Sequence, residues 1–122
     1  MGPAAIFSTE SMPPEEIRNA PAHSFLRTES IRGNASAKRV AALEKNLRQE
    51  GWRGAPISAF EYEGRLYILD GHHRVIAARR AGIGVPYRLV AEDALAQFGY
   101  NSSNEVLIAY AEAPPHRLPP AR

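Results

Sequence analysis

The chain has 122 residues, 44% hydrophobic and 23% charged, with a net charge of +2, which suits one compact domain with a real core. It contains no cysteine, so thiol catalysis, disulfides and cysteine-ligated zinc are excluded. No run approaches the roughly 20 apolar residues of a membrane span, and no leader with a basic start and an apolar stretch is expected.

Residues 1–22 carry Pro3, Pro13, Pro14 and Pro21 and few large apolar side chains. They read as an irregular arm, with at most a short helix starting near Pro14. A short strand is expected around Ser24–Arg27. Ser36 is a suitable N-cap for a helix running to about Glu50, with Val40, Leu43 and Leu47 at helical spacing. Gly51 stands where that helix should end, and Trp52 is expected to fold back onto it. Ile57–Tyr62 and Arg65–Leu69 read as a hairpin turning at Glu63-Gly64. A helix from His72 to Ala81 follows and stops at Gly82. Val85–Val90 reads as a strand, and short helices fit Asp93–Phe98 and Ser103–Ala111. Ser102 and Glu105 have the spacing of a capping box. Pro114, Pro115, Pro119 and Pro120 mark a tail. The domain is thus expected over 23–113, between the arm and a tail over 114–122. Its core list is Val40, Leu43, Leu47, Leu66, Ile68, Val75 and Ile76.

The chemistry concentrates at Asp70-Gly71-His72-His73-Arg74. An apolar strand ends at Asp70, Gly71 permits a sharp turn and a close backbone approach, and the next helix aims its free N–H groups and positive dipole end at that point. A phosphate is the natural guest. Gly71, His72 and Arg74 are the expected phosphate-binding residues, with Arg74 offering a bidentate fork. Imidazole titrates near neutral pH, so His73, His72 and Asp70 are the catalytic candidates: a histidine as general acid or base, Asp70 orienting it or recruiting a divalent ion. The adjacent histidines point about 100° apart on a helix, so one faces the pocket while the other lies at its rim. Their spacing is not the i, i+4 of helical metal sites. His23 and His116, in the terminal segments, carry no expected role.

Leu69–Gly82, L-D-G-H-H-R-V-I-A-A-R-R-A-G, resembles the signature of the ParB/sulfiredoxin superfamily. The upstream hairpin and helix extend the resemblance over roughly residues 24–92. It implies an α/β (α+β) fold, a small mixed sheet with packed helices. It also implies a phosphate role for Arg32, which lies ahead of the first helix where ParB-like domains carry an arginine. Sulfiredoxins need a cysteine in this loop, so their reductase activity is excluded here. A partition clamp needs further domains for which this chain has no room. The D-G-H-H-R form looks more like the ParB-like domains at the C-termini of bacterial polymorphic toxins.

That resemblance makes a toxin-type effector domain the first expectation: a nuclease of the phosphodiesterase type acting on DNA or RNA in the bacterial cytoplasm, secreted or delivered as the C-terminal part of a longer chain. Nucleic acid or nucleotide would be its partner, with a cognate immunity protein beside it and no membrane contact. The alternatives are a nucleotide-hydrolysing or phosphotransferring enzyme using ATP or CTP, with Mg²⁺ or another divalent ion, and a non-enzymatic nucleotide- or partner-binding module.

Overall fold

The computed structural model describes residues 16–121. Five strands, β1 (Ile17–Pro21), β2 (Phe25–Leu26), β3 (Ile57–Tyr62), β4 (Arg65–Asp70) and β5 (Gly84–Leu89), form one mixed sheet in the order β1-β5-β3-β4-β2. β3 and β4 are the antiparallel hairpin, β1 is antiparallel to β5, and the β3–β5 and β4–β2 pairs are parallel. Among the described residues three α-helices accompany the sheet: α1 (Gly33–Glu50), α2 (His72–Ala81) and α3 (Ser103–Glu112). Two 3-10 helices, Ala22–Ser24 and Glu92–Phe98, complete the order. The architecture is the small mixed α/β one expected. None of the helices among the described residues is long and apolar enough to cross a membrane.

The sequence of β4 explains the layering. Leu66 and Ile68 join Val40, Leu47, Ile57, Val75 and Val85 in a core shared with α1 and α2. Tyr67 and Leu69, pointing the other way, join Phe60, Leu95 and Val106 in a second core under α3. A strand covered on both faces reads as a continuous apolar run rather than an alternating one. Of the expected core, Leu43 and Ile76 are only partly buried, and the second cluster was not anticipated.

β1 and β2 flank opposite edges of the sheet yet are joined by the three residues Ala22–Ser24. Four strand spacings span roughly 19 Å in a flat sheet, whereas the four links from Pro21 to Phe25 reach at most about 14 Å. The sheet is therefore curled, and its edges approach one another across the buried Ala22.

Three boundaries differ from expectation. β1 replaces irregular chain at 17–21, because its backbone pairs with β5 from Ile17↔Arg88 to Pro21↔Gly84; the remainder of the arm, with Pro14, lies outside the described residues. α1 begins at Gly33, not after Ser36, and Arg32 occupies the N-cap without a side-chain bond. The Gly33 N–H instead donates to the Arg117 carbonyl (3.1 Å), so a distant segment supplies one of the acceptors that a helix start needs. The tail is also not loose. Residues 113–117 lie along residues 27–33: Arg27 donates to the carbonyls of Pro114 (2.8 Å) and Ala113 (3.1 Å), Ser30 to that of Pro115 (2.9 Å). The Arg117 N–H donates to the Ile31 carbonyl (2.9 Å).

Candidate functional site

Gly71 joins β4 to α2 with φ 110°, a left-handed value that a side chain disfavours. A Cβ there would stand 2.5 Å from Ile57 Cγ2, so conformation and space both demand glycine. The first bond of α2 is Val75 N–H to the Gly71 carbonyl (3.0 Å). By helix geometry the N–H groups of His72, His73 and Arg74 are left as terminal donors. In front of them lies a cavity of about 250 Å³, lined by residues Asp70 to Arg74 together with Glu29, Ile31, Arg39, Pro56 and Ile57. The structure thus brings together Asp70, Gly71, His72, His73 and Arg74.

The two histidines do different things. His72 is buried, with a side chain 3% exposed. Its Nε2 accepts the Thr28 backbone N–H (3.0 Å), and its Nδ1 lies 3.4 Å from Glu29 Oε2. An Nε2 that accepts carries no proton, so the neutral ring holds its proton on Nδ1, toward Glu29. Burial, assisted by His116 and His73, pulls its pKa down to about 4. With its basic nitrogen filled, His72 is placed to hold Thr28 against the pocket rather than to shuttle protons. His73 is only partly buried, and its Nε2 is 3.0 Å from Ser36 Oγ. Desolvation and then the Arg39 charge lower its pKa, against a smaller opposite pull from Glu29, which favours a neutral ring in the pocket.

Arg74 has committed its fork. Nη1 donates to the Ala55 carbonyl (2.7 Å) and Nη2 to that of Arg53 (3.0 Å), while its guanidinium lies 3.9 Å from the Trp52 ring centroid. This arrangement braces the 52–55 loop at the pocket wall. Trp52 does not simply pack on α1; its indole N–H also donates to the Ala55 carbonyl (3.2 Å). Arg32 does not line the cavity; its Nε donates to Ser30 Oγ (3.2 Å). The guanidinium that α1 contributes is that of Arg39. Among the described residues no three His, Asp or Glu side chains converge as a metal-binding group.

Thr28, Glu29 and Arg39 do not stand out in the sequence, where Ser36 reads only as a helix cap and His116 carries no expected role. A signal for Ser36 was present: it precedes Val40, Leu43 and Leu47 at helical spacing, so a hydroxyl on the packed stripe points toward a polar partner. His116 Nδ1 accepts the Ile31 N–H (3.0 Å), and its ring meets that of His72 edge-on at 6.5 Å.

A glycine turn at the end of a strand thus feeds a helix N-terminus into a small polar cavity, a geometry suited to an anion, within a small α/β domain. No family model and no curated protein matches the chain. Among solved structures it resembles sulfiredoxin from Arabidopsis thaliana, with a TM-score of 0.52 and 23% identity over 68% of this chain and 96% of that one. It also resembles the C-terminally truncated chromosome-partitioning protein ParB from Caulobacter crescentus, complexed with CTP-gamma-S, with a TM-score of 0.54 and 23% identity. That match covers 81% of this chain and 55% of the ParB chain. The fold is ParB/sulfiredoxin-like.

Proposed function

We propose that the cavity binds the phosphates of a nucleoside triphosphate, ATP or CTP, and that the protein transfers or hydrolyses the terminal phosphoryl group. One observation carries this reading: the α2 N-terminus, the Arg39 guanidinium and the His73 imidazole share one small cavity. Donors of this kind stabilise phosphoryl oxygens without covalent chemistry by the protein. The ParB neighbour, complexed with a CTP analogue, adds support by likeness. Arg39, with no carboxylate partner among the described residues, supplies positive charge, the α2 amides hold phosphate oxygens, and Arg74 keeps the loop in place. Glu29 and Asp70 are the cavity's carboxylates, suited to accept a proton from an attacking hydroxyl or water. They are also the oxygen ligands available to a Mg²⁺ brought in with the triphosphate.

A toxin-type nuclease would set the same cradle against a polynucleotide phosphate, and a binding module would stop at affinity. The protein is incubated with ATP, CTP, plasmid DNA and RNA, each with and without Mg²⁺. Saturable nucleotide binding with phosphate release or transfer is expected, lowered at least tenfold by Arg39→Ala. Cleaved DNA or RNA with untouched nucleotides would establish the nuclease instead, and binding without turnover the module.

A further inference from the structure

Ser36 sits at the end of the first turn of α1, where its hydroxyl is not needed as a cap, since Arg32 holds that position and the Arg117 carbonyl meets the Gly33 N–H. A serine inside a helix is no better than neutral for stability. Among the described residues the hydroxyl has one partner, His73 Nε2, 3.0 Å away across the α1–α2 contact.

That contact allows two arrangements: the hydroxyl donates to a bare Nε2, or a protonated Nε2 donates to the hydroxyl oxygen. They give His73 opposite roles. In the first the proton is on Nδ1, and the ring offers a bound anion an N–H. In the second Nδ1 is bare, and the ring offers a lone pair. Desolvation and nearby Arg39 disfavour a second ring proton, so the ring is neutral in either arrangement and the Ser36 hydroxyl decides between them. The hydroxyl hydrogen has no other acceptor among the described residues. In the second arrangement it would have no protein acceptor among the described residues, whereas in the first it is used. His72 has the same tautomer, imposed from a different element by the Thr28 N–H.

We infer that Ser36 is a positioning residue that fixes His73 as its Nδ1–H tautomer, so that His73 meets a bound phosphate as a neutral hydrogen-bond donor and not as a base. The tautomer follows from the Ser36 contact alone; its use on phosphate rests on the proposed nucleotide reading.

Long-range proton–nitrogen NMR correlations on the whole protein at pH 7.5 report which His73 nitrogen carries the proton. The expected spectrum shows Nδ1 protonated in the wild type. Ser36→Ala should move the population toward Nε2–H, the tautomer that a neutral histidine prefers in water. Ser36→Thr, which keeps a hydroxyl, should restore Nδ1–H. An unchanged amide spectrum away from the site confirms that each variant is folded. A wild type protonated on Nε2, or a Ser36→Ala variant with the wild-type tautomer, overturns the inference. Inorganic tripolyphosphate serves as the ligand probe, and Ser36→Ala is expected to weaken it about three- to tenfold. If tripolyphosphate binds neither protein while the tautomer responds to Ser36, the nucleotide reading fails and the assignment of Ser36 stands.

Discussion

The cavity has two walls built on different principles. The β4–Gly71–α2 wall is continuous chain, set by the hairpin register on one side and by α2 packed on α1 on the other. The Thr28–Ile31 wall has neither helix nor strand. Side chains hold it: His72 takes the Thr28 N–H, the Thr28 hydroxyl donates to the Ile68 carbonyl (2.7 Å), and His116 takes the Ile31 N–H. The first wall owes its position to backbone geometry. The second depends on two imidazoles remaining neutral acceptors, so the walls should yield to different insults.

The largest effect is expected on the first wall. Gly71→Ala combines a left-handed φ with a Cβ placed 2.5 Å from Ile57 Cγ2, and together strain and overpacking should cost about 2–6 kcal/mol. Denaturant unfolding measures it; a loss below about 1 kcal/mol would mean that the junction is pliable and the contrast false.

The second wall should respond to acid. The folded pKa of His72 is about 4, against 6.5 in the unfolded chain, so between those values the unfolded state binds the extra proton. Stability is fully present above pH 6.5 and falls as the pH drops toward 4, by roughly 3 kcal/mol for this group. His116, lowered first by desolvation and then by Arg27, acts with the same sign. Amide exchange at Thr28 should accelerate beyond the general trend over this range, and His72→Gln should flatten the unfolding profile. A wild-type profile already flat from pH 6.5 to 4 would show that the wall does not depend on a neutral His72.

The smallest effect concerns the strap behind that wall. Arg27→Ala removes two bonds to carbonyls of residues 113 and 114, at least one of them exposed, for a cost of about 1 kcal/mol. Faster exchange at the Ile31 and Gly33 amides, with little change in the unfolding midpoint, is the expected signature. Unchanged exchange there would detach the strap from the site.

The same division decides what the amino-acid sequence revealed. The hairpin, Gly71 and the run from Asp70 to Arg74 are contiguous, and each residue's role follows from neighbours a few positions away. Residues 27–33 and 113–117 are joined across more than eighty positions, so neither carries a local trace of the other. Ser36 read as a cap because the Arg117 carbonyl, which substitutes for one, is invisible along the chain. Arg32 fitted the resemblance, yet α1 turns Arg39 toward the cavity. The committed fork of Arg74 depends on carbonyls of the 53–55 loop, whose path no motif encodes.

The curl that brings β1 toward β2 also bears on how the molecule behaves in crowded solution. A flat sheet presents two straight rows of unpaired backbone groups on which a second chain can grow. Here one border is β2, only two residues long. The other ends in Pro21 and carries the Glu16–Arg18 ion pair (3.5 Å), features that discourage strand addition. The turn at Ala22–Ser24 thus does more than connect two strands. By bending the sheet around Ala22, it denies a neighbour a long straight template on which to begin aggregating.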